Sequence, residues 1–173
     1  MKRLAMVFAA ASLAAASPAL AALKVGDAAP NFKRAAATNG KTDSFSLKAA
    51  LKNGPVVVYF YPKAFTGGCS LEAHAFSEAV DKFKAKHVTV VGVSTDDVGT
   101  LKRFSAETCQ GKFTVVSDLN GDVTKSYDAS MMGMKMADRI SYVVGQDGKI
   151  AFVHASGDAS THVPALLQAV GAD

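Results

Sequence analysis

Seven consecutive residues, Pro55-Val56-Val57-Val58-Tyr59-Phe60-Tyr61, carry no charge and no alternation of apolar with polar side chains. An unbroken β-branched and aromatic run is a strand buried on both faces, which requires helices above and below a largely parallel sheet. The run therefore commits the chain to an α/β layer architecture. From Cys69 to Lys84, Phe76, Ala79, Val80 and Phe83 recur at helical spacing, with Glu and Lys expected on the opposite face. His87–Ser94 reads as a second buried strand, and Leu101 and Phe104 mark a helix ending near Cys109. Phe113–Val116 is a third strand and Val123–Tyr127 a short helix.

Hairpins flank this centre. Val25–Leu51 shows little helical periodicity, and Asn39-Gly40 between extended stretches is a hairpin signal because both residues tolerate positive φ. Ile140–Val144 and Ile150–His154 enclose Gly145-Gln146-Asp147-Gly148, a second hairpin, and Val163–Val170 closes the chain as an amphipathic helix. With right-handed crossovers, the order gives a mixed central sheet with helices on both faces and an N-terminal β-hairpin. That is the thioredoxin-like arrangement.

The first 22 residues stand apart. Lys2-Arg3 precede an Ala-rich apolar run from Leu4 to Ala16, and Ser17-Pro18-Ala19-Leu20-Ala21 ends in a small-x-small pattern. This is the form of a secretory signal peptide, cleaved after Ala21 or Ala22. The run is shorter than the ~20 apolar residues of a spanning helix. No cysteine marks a lipid attachment point and no twin arginine precedes the run. The expected mature domain, 23–173, would work in a bacterial periplasm, where disulfides persist. With 49% hydrophobic and 20% charged residues in a chain of 173, it fills one core and is not disordered. The net charge of +4 falls to +2 without Lys2 and Arg3, and no basic patch points to nucleic acid.

Cys69 lies where the first buried strand gives way to its helix, the place where α/β folds present reactive groups. Unpaired amides and the helix dipole there favour a thiolate over a thiol. Thr66, three residues earlier, suits an N-cap whose hydroxyl faces the Cys69 amide. Gly67-Gly68 lets backbone approach a small substrate, and Pro62 stiffens the loop.

The stretch Tyr59-Phe60-Tyr61-Pro62-Lys63-Ala64-Phe65-Thr66-Gly67-Gly68-Cys69-Ser70-Leu71-Glu72 resembles the peroxidatic-cysteine region of peroxiredoxins, with Pro62, Thr66 and Cys69 in the register Pro-x-x-x-Thr-x-x-Cys. Glu72, Ala73 and Phe76 are similar to the Q-type, bacterioferritin-comigratory-protein-like branch, and the likeness extends from Val25-Gly26-Asp27 to the C-terminal helix. The resemblance implies a thiol-dependent peroxidase acting on hydrogen peroxide and organic hydroperoxides. In it Cys69 attacks the peroxide, Thr66 orients it and Pro62 shields the cysteine. Arg139, in Asp138-Arg139-Ile140-Ser141-Tyr142, matches the family arginine before a strand, where a guanidinium would stabilise the thiolate. It further implies no cofactor, a thioredoxin-like or other dithiol reductant, no membrane partner, and a monomer or weak homodimer.

One position departs from the branch. Its resolving cysteine often falls five residues after the peroxidatic one, where this chain has His74. The other thiol, Cys109, sits near the end of the next helix, slightly later than the family's alternative position. Resolution by Cys109 within one chain is expected, with a one-cysteine mechanism as the alternative. A permanent Cys69–Cys109 staple would stabilise by roughly 4 kcal/mol but would silence the motif. Among rival functions, a thiol–disulfide oxidoreductase lacks its C-x-x-C pair, and a copper-binding module lacks the Cys-x-x-x-Cys spacing. Met131, Met132, Met134 and Met136 could offer thioether to Cu(I) but are read as a flexible apolar loop packing near the site. His74, His87, His154 and His162 show no metal-ligand spacing and are read as solvated or lightly packed.

Overall fold

A computed structural model of the protein describes residues 22–132 and 134–172. The leader expected over 1–22 lies outside the described residues except for Ala22, and no described helix is long and apolar enough to cross a membrane. Strands β1 (Lys33–Thr38) and β2 (Lys41–Ser46) pair antiparallel, with Thr38 opposite Lys41. Asn39 and Gly40 turn the chain with φ of 49° and 70°, the two left-handed residues a tight hairpin needs. A short helix, α1 (Leu47–Ala50), follows, its start capped by Ser46. It was not expected, because four residues are too few to display a period.

The central units come next: β3 (Val56–Phe60), α2 (Gly67–Ala85), β4 (Thr89–Ser94), α3 (Val98–Glu107), β5 (Thr114–Ser117) and α4 (Asp122–Ser126). Strands β6 (Ile140–Val144) and β7 (Ile150–Ala155) form the second hairpin, and a 3-10 turn at Ala159–Thr161 leads into α5 (His162–Ala169). The seven strands form one mixed sheet in the order β2-β1-β5-β4-β3-β6-β7. β3 lies parallel to β4 and antiparallel to β6, so its backbone is paired on both sides and all five of its residues are buried.

Alternation along β3 divides the interior. Val57 and Tyr59 join a core with Phe76, Val80 and Phe83 of α2, Leu101 and Phe104 of α3, and Leu166 of α5. Val56, Val58 and Phe60 face the other core with Leu47 of α1 and Val123 near the start of α4. The sheet steps in one direction from β3 to β4 to β5, so two right-handed crossovers put α2 and α3 on the same face. Tyr59 stacks on Phe76 with ring centroids 4.2 Å apart, and Gly92 of β4 makes room for it. A Cβ at Gly92 would stand 2.7 Å from the Tyr59 ring.

The buried stripe of α2 runs Cys69, Glu72, Ala73, Phe76, Ser77, Ala79, Val80, Phe83. Glu72 therefore breaks the expected division of the helix. It lies on the inner face, not among the exposed charges.

Candidate active site

Strand β3 ends at Phe60, and the loop that follows is held from three sides. Phe65 takes a left-handed backbone, φ 64°, a conformation costly for a bulky residue and kept only when surroundings enforce it. Its ring packs edge-on to Phe104 at 5.2 Å, with the Arg103 guanidinium 5.2 Å above it. The Ala64 amide donates to Asp96 Oδ2 at 2.8 Å, and Ser94 Oγ donates to the same oxygen at 2.9 Å. Sequence reading missed Phe65, Asp96 and Arg103, since their roles depend on a turn that brings three segments together.

Thr66 stands at the N-cap of α2 with extended backbone, φ −78° and ψ 154°. Its hydroxyl does not cap the Cys69 amide as expected. The Phe65 turn points it back along the loop, where it donates to the Lys63 carbonyl at 2.9 Å. The first turn thus has no side-chain cap, and Thr66 Oγ has acceptor lone pairs left over. Pro62 is half-buried beside this loop.

Cys69 is the third residue of α2 and is 2% exposed. Arg139 reaches it from the next strand. Ile140 pairs with Phe60, so the residue just before β6 lies at the end of β3 where the active loop begins. Arg139 Nη2 donates to Cys69 Sγ at 3.4 Å, while Nη1 donates to Glu72 Oε2. Gly68 keeps close quarters with this group, since a Cβ there would stand 3.4 Å from Nη2.

Behind Glu72 lies a histidine that the sequence did not single out. His162, the first residue of α5, is fully buried rather than solvated. Its Nδ1 is 2.8 Å from Ser141 Oγ and 3.6 Å from Glu72 Oε1, and its Nε2 is 3.0 Å from the Ser156 carbonyl. Burial raises the Glu72 carboxyl to about 7, against the pull of Arg139. Burial likewise lowers His162 to about 4.

Cys109 is free, as is Cys69, and is 0% exposed. Its carbonyl accepts from Ser77 Oγ at 2.9 Å, and the neighbouring Gln110 bonds His74. Eight residues of helix separate Cys69 from Ser77, on the order of 12 Å of axial rise, whereas a disulfide needs Cα atoms within ~4.4–6.8 Å. Burial pushes the Cys109 thiol well above the ordinary thiol range. The structure thus brings Thr66, Cys69 and Arg139 together at one helix start and holds Cys109 apart. Among the described residues no group of three His, Cys, Asp or Glu could hold a metal. Met132 and Met134 are exposed rather than packed as expected.

Residues 25–153 match the model of the AhpC/TSA family. The chain belongs to that family of peroxiredoxins. It is similar to the peroxiredoxin Bcp of Escherichia coli strain K12, 35% identical over 152 residues that cover 84% of this chain and 94% of that protein. The chloroplastic peroxiredoxin Q of Oryza sativa subsp. japonica is 35% identical over 131 residues, covering 75% of this chain and 58% of that one. Among solved structures, the peroxidoxin BcpB of Mycobacterium tuberculosis superposes with a TM-score of 0.76 at 29% identity, over 87% of this chain and 97% of its own. The AhpC of the same organism, at 23% identity and a TM-score of 0.78, shows the shared fold. This peroxiredoxin is a Bcp- and Q-like thiol peroxidase.

Proposed function

We propose that Cys69 is the peroxidatic cysteine, that Cys109 resolves it within one chain, and that a thioredoxin-like dithiol protein recycles the enzyme. The observation that carries the reading is the Arg139 Nη2 contact with Cys69 Sγ at 3.4 Å, on the uncapped first turn of α2. A guanidinium and free helix amides both favour the charged sulfur and then the oxyanion that leaves it. Thr66 gives its hydrogen to Lys63, so toward a peroxide it can only accept. The peroxide O–H then donates to Thr66 while Arg139 donates to the peroxide oxygens, and Pro62 limits water.

The thiolate attacks the terminal oxygen; an S–O bond forms and the O–O bond breaks. Cys69 becomes a sulfenic acid, and the leaving oxygen takes a proton to depart as water or an alcohol. Cys109 then displaces hydroxyl from that sulfur, giving a disulfide and water. Because the two backbones are fixed at different levels of α2, the first turns of that helix unwind for this step. Hydrogen peroxide and organic hydroperoxides are the substrates, and no cofactor is needed. The leader-like residues Lys2-Arg3 and the apolar run after them support export to a periplasm. Resolution inside one chain suits a monomer or weak homodimer.

Intact mass after one equivalent of hydrogen peroxide tests this. Wild type should lose two hydrogens, and Cys109→Ser should gain one oxygen, with a second only when a further equivalent is added. Cys69→Ser should consume no peroxide. A disulfide between chains, or a wild type that passes to sulfinic acid with Cys109 still free, would replace the resolving step with a dimeric or one-cysteine mechanism.

A further inference from the structure

The hydrogen bonds around His162 leave one proton unaccounted for. Its Nε2 faces the Ser156 carbonyl, which can only accept, so Nε2 carries a hydrogen. In a neutral ring Nδ1 then presents a lone pair, to which Ser141 donates. Glu72 Oε1 faces the same Nδ1 from 3.6 Å, is buried and has no hydrogen-bond partner. If that oxygen were ionised, its charge would face a nitrogen whose one lone pair Ser141 already fills, with no donor and no water, which is costly. A proton at Oε1 removes that charge. Burial acts on both groups in this sense, holding Glu72 at about 7 and His162 at about 4.

Other groups do not supply the missing charge. From the strand side come Arg139, already bonded to Glu72 Oε2 and Cys69, and the neutral Ser141. From β7 comes His154, edge-on to His162 at 4.6 Å and bonded to Thr161. Asp158 lies in the preceding loop with its carboxylate bonded to Ser160. Tyr59 of β3 faces Glu72 and is held neutral by burial.

We propose that Glu72 and His162 hold one proton between them, and that it is the proton Cys69 gives up. The Cys69 S–H bond breaks and an O–H bond forms at Glu72 Oε1. The buried quartet of Cys69, Glu72, Arg139 and His162 then stays neutral overall, with thiolate and guanidinium as its only charges. His162 is a positioning residue, acting on the thiolate through Glu72. The inference rests on the peroxidase reading only for which thiol reacts, and its test measures alkylation, so a failure of peroxide turnover is seen separately.

The experiment is the rate of Cys69 alkylation by iodoacetamide against pH in the reduced, full-length protein. Glu72→Gln places a permanently neutral group beside the thiolate, as protonated Glu72 does, and stores no proton that could return to Cys69, so it should alkylate at least as fast as the wild type near pH 6. His162→Gln offers its amide to Glu72 Oε1, holds the carboxylate charged, leaves the proton on Cys69, and should alkylate about tenfold more slowly near pH 6. The double variant should follow Glu72→Gln. If Glu72 and His162 only keep Arg139 in place, both single variants slow the reaction, and that outcome, or no change in either, overturns the proposal. Infrared spectra of the wild type give a check that needs no variant to fold. A protonated-carboxyl band near neutral pH should vanish when Cys69 is alkylated, because Glu72 then pairs with Arg139 as a carboxylate. A wild type lacking the band overturns the proposal as well.

Discussion

Replacing Glu72 by glutamine should change how stability depends on pH, in a direction opposite to that of an ordinary salt bridge. Glu72 rises from its usual 4.5 to about 7 in the folded protein. The native state therefore binds more protons than the unfolded chain across that window, and stability from this group falls as pH rises through it. The shift of about 2.5 units corresponds to about 3 kcal/mol. His162 works the other way: its folded value of about 4 lies below the usual 6.5, so its contribution is lost on acidification through that range. In the wild type the two slopes nearly cancel between pH 4.5 and 6.5. In Glu72→Gln the His162 slope stands alone. Glutamine has the same shape and can still accept from Arg139, so packing is conserved. Urea unfolding of reduced wild type and variant, measured at half-unit steps from pH 4 to 8, gives the difference curve. Variant minus wild type should climb by about 3 kcal/mol from pH 4.5 to 7.5 and then level off. A flat or falling difference would mean that Arg139 outweighs burial and Glu72 is charged throughout.

Two further outcomes follow from contacts elsewhere in the site. Arg139→Ala removes the donor on Cys69 Sγ and should lower the rate of peroxide reduction by about 100-fold or more in stopped-flow fluorescence. An unchanged rate would exclude the guanidinium from the reaction. Gly92→Ala sets a methyl 2.7 Å from the Tyr59 ring and should cost about 1–3 kcal/mol in urea unfolding, through loss of the Tyr59–Phe76 stack.

The fold was legible because its strongest signals are local. The Val56–Phe60 run, the Asn39-Gly40 turn and the α2 spacing each follow from a few neighbouring residues. Cys69, Thr66 and Arg139 were legible through the motif register, and the structure brings them together. What a hydroxyl bonds to is another matter. Thr66 turned to Lys63 because Phe65 took a left-handed backbone that packing on Phe104 enforces, and nothing in the motif encodes that. Glu72 was readable in principle, since it falls on the same stripe as Cys69, Phe76 and Phe83, but a charged side chain was assigned to solvent by type. His162 gave no signal, because its partners lie at Ser141, Ser156 and Glu72, on separate segments.

On the proposed route through Cys109, the two cysteines impose opposite demands on the start of α2. While Cys69 is a thiolate, Arg139 ties it and Glu72 to the end of β3, and the helix holds its first turn. That turn is otherwise weakly built: it opens with Gly67-Gly68, and its N-cap side chain bonds Lys63 and caps no helix amide. Glycine in a helix and a missing cap each forgo about 1 kcal/mol. On that route, oxidation to sulfenic acid removes the charge that Arg139 held, so the contact weakens at the step when the turn opens toward Cys109. Gly67→Ala separates these contributions. A Cβ at Gly67 meets nothing within 4 Å, and its φ is not positive, so the methyl strengthens the turn without touching the site. It should stabilise the helical form by about 0.5–1 kcal/mol and slow disulfide formation roughly two- to fivefold, leaving the rate of sulfenic acid formation unchanged. Rapid quenching with mass detection would follow both species, and sulfinic acid should accumulate at high peroxide. A disulfide that forms at the wild-type rate would show that unwinding of this turn does not limit resolution.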